Sequence, residues 1–357
     1  MKWALRSVQK LTSCKQFYSA HSTELLFLWI LLLGHFLSAC TTHSAIEQED
    51  LSSASAIVEQ MEADLSGLEV QMLYLKNHFD FLISHRDSIL EIADKTKYKF
   101  KGGYSTNGPQ DDLLLSSIVI FKDNFDSKSV MNQVYLSNGM DSVFRKVYKD
   151  SGIISQVYFN TYSQLSRVYP AYDASLLLDR NIDLTKYNFY YEGDLAHNPS
   201  KGMKWIPTIY VDPAGRGYIL SLVQPIYDGD ELFAVLGIDV TVNEISSRYL
   251  SPAKEELLIT TNDGTVVGGK AKAMEALSLP PLRNHVYMET VRKDKFRVEA
   301  LNLFKSKNKE VREMAESILC KGEDKFIFHN EFSPQKIAAL KIKKFDWYLL
   351  QIKGQSR

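Results

Sequence analysis

From Ser55 to Ala93 the chain has no proline and a single glycine, Gly67, while apolar residues recur at Ile57, Met61, Leu65, Leu68, Met72, Leu75, Phe79, Leu82 and Ile89. The steps mostly alternate between four and three, which stacks these side chains on one side of an α-helix as a heptad seam. A helix this long and this one-sided has to be covered along its length, so whatever follows in the chain has to supply the cover. Arg86 interrupts the seam, and Leu73, Phe81 and Ile83 add apolar surface away from it. Packing on the chain's own domain is therefore favoured over an isolated coiled coil. The spacing predicts one long helix, assigned with its exit to residues 55–100. His78-Phe79-Asp80 and His85-Arg86-Asp87 repeat along it. Ligands seven residues apart on a helix stand about 10 Å apart along the axis, so a solvated face is the better reading than a metal site.

After Lys101-Gly102-Gly103 the periodicity shortens. Ser117–Phe121 reads as a buried strand, and Asp141 as the cap of a helix with Val143, Phe144, Val147 and Tyr148 on its face. Residues 154–159 and 164–169 form a predicted hairpin closed by Pro170. Strands at Trp205–Val211, Tyr218–Tyr227 and Leu232–Val240 follow, the last two joined by Asp228-Gly229-Asp230. Strands mostly pair with sequence neighbours, so the fold class is α+β with antiparallel sheets. Ser251-Pro252 marks a break, giving one module over 101–250 and a smaller one over 251–353. The second opens with a strand at Glu256–Thr260, has a helix at Lys309–Leu319, and ends with strands at Lys325–Phe328, Ile337–Leu340 and Trp347–Ile352.

The opposite end of the chain looks like a targeting segment. Residues 1–23 hold Lys2, Arg6, Lys10 and Lys15 and no acid, and an apolar run from Leu25 to Leu33 continues to Leu37-Ser38-Ala39-Cys40. A membrane-spanning helix needs roughly 20 apolar residues, so the run reads as a signal peptide over 1–39. The tetrapeptide resembles the lipobox of bacterial lipoproteins, which implies cleavage before Cys40, lipidation of its thiol (palmitate among the acyl chains) and a tether over 40–54. A signal anchor, or a non-lipidated signal peptide in which Cys40 is incidental, is the alternative. Lipidation would place the mature chain in the cell envelope, facing periplasm or exterior, on the outer membrane in a Gram-negative cell. Cys320 would then stand alone, with no intramolecular disulfide open to it.

Charge and motifs remove several function classes. The 42 Lys and Arg balance 43 Asp and Glu, so there is no basic surplus for a nucleic-acid partner. The sequence holds no zinc-protease His-Glu-x-x-His, nucleophile elbow, phosphate-binding lysine loop or Cys-x-x-Cys pair, and no catalytic residue, metal or cofactor is expected. Gly215-Arg216-Gly217 lacks the strand-to-helix setting of a dinucleotide loop and reads as a turn.

The stretch from Trp205-Ile-Pro-Thr-Ile-Tyr210-Val-Asp212 through Pro225-Ile-Tyr227 to Leu236-Gly-Ile-Asp239-Val-Thr241 resembles the membrane-distal half of double Cache sensor domains, in which two PAS-like modules ride on one long N-terminal helix. As a general plan the likeness spans roughly residues 50 to 352, although only 183–241 carries specific motifs. The resemblance implies an extracellular ligand-binding part of a sensor. In amino-acid-binding members an Arg-x-aromatic-Tyr cluster, a Tyr-x-Asp and the Asp of a Gly-x-Asp strand hold the ligand. Here Tyr187-Asn188-Phe189-Tyr190, Tyr210-Val211-Asp212 and Asp239 fill those places, with Tyr187 where the family has arginine. A guanidinium clamps a carboxylate with two bonds and a tyrosine offers one neutral donor, so two carboxylates among rings fit an ammonium group better than a free carboxylate. The expected ligand site is Tyr187, Phe189, Tyr190, Trp205, Tyr210, Asp212 and Asp239. Asp212 is equally explained as the first residue of a turn, and the rings as core.

The function implied is a non-enzymatic, lipid-anchored sensor for a small amine or amino-acid-like molecule. With no output domain following, it would act through a separate histidine kinase, cyclase or chemoreceptor. A solute-capturing lipoprotein serving a transporter, or a structural envelope lipoprotein that has lost its ligand, are the alternatives.

Overall fold

The computed structural model describes residues 51–105, 114–122, 124, 127–280, 301–329 and 336–353. The expected signal peptide, Cys40 and most of the tether lie outside the described residues. No helix among the described residues is long and apolar enough to cross a membrane.

The first helix, α1 (Ser52–Ser84), buries Met61, Leu65, Leu68, Met72, Leu75, Phe79 and Leu82, the seam its spacing predicts. It is not a single piece to residue 93. His85 leaves helical geometry at φ −112°, ψ 23°, and α2 (Arg86–Ile92) resumes beyond it. The bonds from His85 N to Phe81 O and from Ile89 N to His85 O, at 3.1 and 3.0 Å, carry the ladder across the bend. Arg86, where the seam fails, turns away to pair with Asp228.

Two antiparallel sheets follow. The first contains β1 (Phe100–Lys101), β2 (Tyr104–Ser105), β3 (Ser117–Ile120), β4 (Gln156–Thr161), β5 (Leu165–Tyr169), β6 (Lys204–Trp205), β7 (Tyr210–Val211), β8 (Tyr218–Asp228) and β9 (Glu231–Thr241). Its order is β1-β2-β3-β5-β4-β9-β8-β6, with β7 also on β8. The second runs β11-β10-β14-β13-β12, from β10 (Glu256–Thr260), β11 (Val266–Gly269), β12 (Lys325–Ile327), β13 (Lys336–Ile342) and β14 (Trp347–Lys353). The strand expected over Trp205–Val211 is divided into β6 and β7. Pairing to β8 continues as far as the Ile206 N to Ser221 O bond of 2.8 Å and stops at Pro207, which has no N–H to give. The β8–β9 connection is a tight hairpin in which Gly229 takes φ +62° and Asp228 pairs with Glu231.

The seam of α1 shares one apolar core with both sheets, including Val157, Phe159, Leu236 and Ile238 of the first and Leu257, Ile259 and Trp347 of the second. Two further helices, α3 (Lys128–Leu136) and α4 (Met140–Asp150), join that layer. Asp141 is not the helix cap: Gly139 holds the cap position and Asp141 sits in the first turn of α4. Its carboxylate is spent on Arg167, whose guanidinium is wholly buried and meets it at 2.9 Å, on Lys97 at 2.7 Å and on the hydroxyls of Tyr98 and Ser116. A guanidinium without water requires such a partner, and this requirement overrides the capping role.

Side chains alternate across a strand, so the opposite face of the first sheet is set by the same register. Val157 and Phe159 of β4, Leu220 and Leu222 of β8, and Leu236 and Ile238 of β9 point to α1. Tyr158, Val223 and Val235 join a second cluster with Phe189, Tyr190 and Leu184 on the far side. Gln156, Ser221 and Asp239 share that far face.

Candidate functional site

Three polar residues stand abreast on this face. In the pairing of β4 with β9, Gln156 lies opposite Asp239, and in the pairing of β9 with β8, Asp239 lies opposite Ser221. Gln156 Nε2 donates to Asp239 Oδ2 at 2.5 Å, and Ser221 Oγ donates to Asp239 Oδ1 at 2.5 Å. A serine hydroxyl has one proton, so the 2.7 Å contact between Tyr210 and Ser221 is donated by the tyrosine. At the other end, Arg216 Nε donates to Gln156 Oε1 at 2.7 Å, which fixes the orientation of the amide between a guanidinium and a carboxylate.

Asp239 is 1% exposed. Burial, with the negative charge of Asp212 second, pushes its carboxyl up to about 7 against the opposing bonds from Gln156 and Ser221. Asp212 is also raised by burial, opposed by the backbone N–H groups of Ala214 at 2.9 Å and Arg216 at 3.2 Å and by the Arg216 charge. Those backbone bonds, with Gly215 N on Asp212 O at 3.0 Å, show that Asp212 does organise the turn between β7 and β8. Gly215 and Gly217 bracket that turn at φ +93° and +89°, which leaves Gly215-Arg216-Gly217 a turn as expected. Burial and the Asp239 charge lift the hydroxyls of Tyr158 and Tyr210 well above their usual value, so both stay protonated donors.

These groups border an open cleft lined by Gln156, Tyr158, Phe189, Tyr210 and Asp212, with apolar walls that include Phe121, Val168 and Leu184. The glycine of the Gly-x-Asp motif has a physical reason. Gly237 lies opposite Tyr158 in the β4–β9 register, and a Cβ there would fall 2.0 Å from Tyr158 Cζ. Only a bare backbone lets the Tyr158 ring lie across β9 beside Asp239.

Of the residues expected at a site, Phe189, Tyr210 and Asp212 line the cleft and Asp239 lies beneath its lining, bonded to Gln156. Tyr187 stacks on Phe189 at 5.2 Å and 15°. Tyr190 is in the same apolar cluster, but it is not part of the cleft lining. Trp205 is not brought to the cleft. It pairs with Leu222, a residue of the helix-side face, so its indole donates to Glu69 of α1 at 2.9 Å and its ring meets Phe345 edge-on at 5.0 Å. Sequence reasoning missed Gln156, Tyr158, Ser221 and Arg216. Arg216, a charged residue between two glycines, carried the one available signal. No group of three or more His, Cys, Asp or Glu side chains that could hold a metal ion occurs among the described residues.

No family model matches the chain and no curated protein matches it. Among solved structures, it is similar to extracellular ligand-binding domains of sensors. The extracellular domain of mmHK1S-Z3, a histidine kinase candidate, aligns at 9% identity over 61% of this chain and 80% of that one, with a TM-score of 0.40. The ligand-binding domain of the Pseudomonas fluorescens chemoreceptor CtaA, in complex with L-valine, aligns at 13% identity over 60% and 78%, with a TM-score of 0.37. The ligand-binding domain of the Campylobacter jejuni chemoreceptor Tlp3, in complex with L-norvaline, aligns at 11% identity over 85% and 92%, with a TM-score of 0.34. At these values the likeness says nothing about ligand or partner.

Proposed function

We propose that this chain is a non-enzymatic, extracytoplasmic small-molecule sensor of the double Cache kind, with a membrane-distal PAS-like module over 101–250, a proximal one over 251–353, and a lipid anchor at Cys40. The distal module takes a small amine or amino-acid-like ligand and passes its state to an envelope partner such as a histidine kinase, cyclase or chemoreceptor. The observation that carries this reading is a pair of buried carboxylates, Asp212 in the lining of an aromatic-walled cleft and Asp239 beneath that lining.

Two carboxylates and one guanidinium, Arg216, leave one negative charge when both acids are ionised. With its carboxyl at about 7, Asp239 holds a proton for part of the time in the empty cleft near neutral pH. An entering ammonium replaces that proton as the partner of the acid pair, and the faces of Tyr210 and Phe189 add cation–π attraction. A thermal-shift screen of amines, amino acids and small dicarboxylates tests the reading. A matching amine at 100 times its dissociation constant should stabilise the fold by about 2.7 kcal/mol. Stabilisation by dicarboxylates alone would refute it.

The anchor is tested separately. Cys40→Ser should leave an uncleaved precursor or release the protein from membranes on fractionation, since one to three acyl chains supply about 0.8 kcal/mol per buried CH₂. A Ser variant processed and sedimenting like the wild type would show that Cys40 is not lipidated.

A further inference from the structure

The cleft has a second polar end that an ammonium group leaves unused. Asn160 and Ser166 face each other across β4 and β5, both line the cleft, and both are more than nine-tenths buried, at 3% and 7% exposure. Neither side chain hydrogen-bonds to any other residue among those described. With no protein partner, both look to solvent or to a ligand, and a ligand group that displaces the solvent has to match their bonding or lose affinity. Asn160 is four residues beyond Gln156 on β4, about 13 Å along the strand at roughly 3.3 Å per residue. Tyr158 and Val168 occupy the stretch between the two ends. Asp212 is the one charged side chain lining the cleft among the described residues, so the Asn160 end is uncharged.

We infer that the cleft reads a two-ended ligand: an ammonium at the Asp212 and Asp239 end, an apolar spacer, and a neutral group that both donates and accepts hydrogen bonds, a carboxamide or hydroxyl, at Asn160 and Ser166. The inference rests on the amine reading above and narrows it. An asparagine amide presents one acceptor and two donors side by side, which a primary carboxamide matches in both senses. A carboxylate brings no donor and a second ammonium no acceptor, and either would be desolvated there without a counter-charge.

The test is calorimetry on the full chain in detergent with three probes of matched length: hexylamine, hexamethylenediamine and ε-aminocaproamide. The amide should bind at least tenfold more tightly than the other two, the effect of satisfying one or two buried polar groups. Asn160→Leu combined with Ser166→Ala should abolish that preference and leave hexylamine affinity within a fewfold of wild type. Equal affinities for the three probes in the wild-type protein, or a preference that survives the double variant, would overturn the inference. Hexylamine binding that weakens in Asp239→Asn while showing no amide preference would remove this inference alone, whereas failure of every probe would remove the amine reading with it. Should the double variant not fold, the wild-type comparison stands by itself, and Ser166→Ala alone should reduce the preference severalfold.

Discussion

Leu75→Asp should destabilise the chain by several kcal/mol and lower its melting temperature by roughly 10 °C or more. Leu75 is completely buried midway along α1, between that helix and the sheets. Emptying such a site of a leucine typically costs about 2–5 kcal/mol, and an unpaired carboxylate in its place adds to that. For domains of 150–250 residues, 1 kcal/mol corresponds to about 2–4 °C. Val70→Asp is the internal control: Val70 is on the same helix but 65% exposed, so its substitution should change stability by no more than about 0.5 kcal/mol. Equal melting temperatures for Leu75→Asp and the wild type would show that α1 is a solvated tether and not the spine of the fold.

The second large effect is a pH dependence at Asp239. Its carboxyl is raised in the folded chain to about 7, above the ordinary value of 3.8. A raised acid contributes stability that is fully present below the unfolded value and is lost as pH rises through the folded one. The wild-type chain should therefore lose stability from this group between about pH 4 and pH 7, by up to about 4 kcal/mol at 1.36 kcal/mol per unit. Asp212, raised by burial, acts in the same direction. Asp141, held low by Arg167 and Lys97 against its burial, acts in the opposite direction: its contribution is present above the usual carboxylate range and is lost as pH falls. Asp239→Asn removes the first of these and leaves the others, so the stability difference between variant and wild type should move in favour of the variant between pH 4 and pH 8. Asn brings an absolute cost, because its single carbonyl oxygen cannot take both the Gln156 and the Ser221 donors and its NH₂ forces one of them to turn; the slope of the difference is therefore the quantity to read. Parallel pH profiles for the two proteins would contradict the burial of an ionisable Asp239.

The parts of this fold that were legible in the sequence are those fixed by local spacing. The α1 seam follows from apolar residues every three or four positions, and the strands from short apolar runs punctuated by turns such as Asp228-Gly229-Asp230. Asp239 was visible as a lone acid in an apolar strand, the one kind of residue that burial makes conspicuous. What stayed hidden depends on which strands become neighbours. Gln156 and Ser221 are unremarkable until β4, β9 and β8 lie side by side and place them on either side of Asp239. Trp205 has the look of a site aromatic, yet its face is decided by pairing with Leu222 on a two-residue strand, and that pairing sends it to Glu69. The same limit applies to Asp141: its position at a helix start says cap, while a guanidinium 26 residues away in sequence takes its carboxylate. The bend at His85 carries no proline or glycine, and the interruption of the seam at Arg86 is its one trace in the sequence.

Tyr210, Asp212 and Asp239 remain together, Phe189 forms a wall with Tyr187 stacked behind it, and Arg216 supplies a guanidinium from the β7–β8 turn, where the family pattern has one in the first motif. Because Arg216 is bonded to Gln156, it balances the acids from outside the cleft lining.

Capture of a cation by the acid pair is read out by isothermal calorimetry of one amine against the wild-type chain and Asp239→Asn across pH 5.5 to 8.5. The account predicts that wild-type affinity rises as pH passes through about 7 and Asp239 gives up its proton, while the amine stays charged. It also predicts binding about tenfold to more than a hundredfold weaker in Asp239→Asn at the upper end, from the loss of a charge-assisted bond worth about 1.5–3 kcal/mol. Equal, pH-independent amine affinity in the two proteins, or tight binding of a simple dicarboxylate by the wild type, would contradict it.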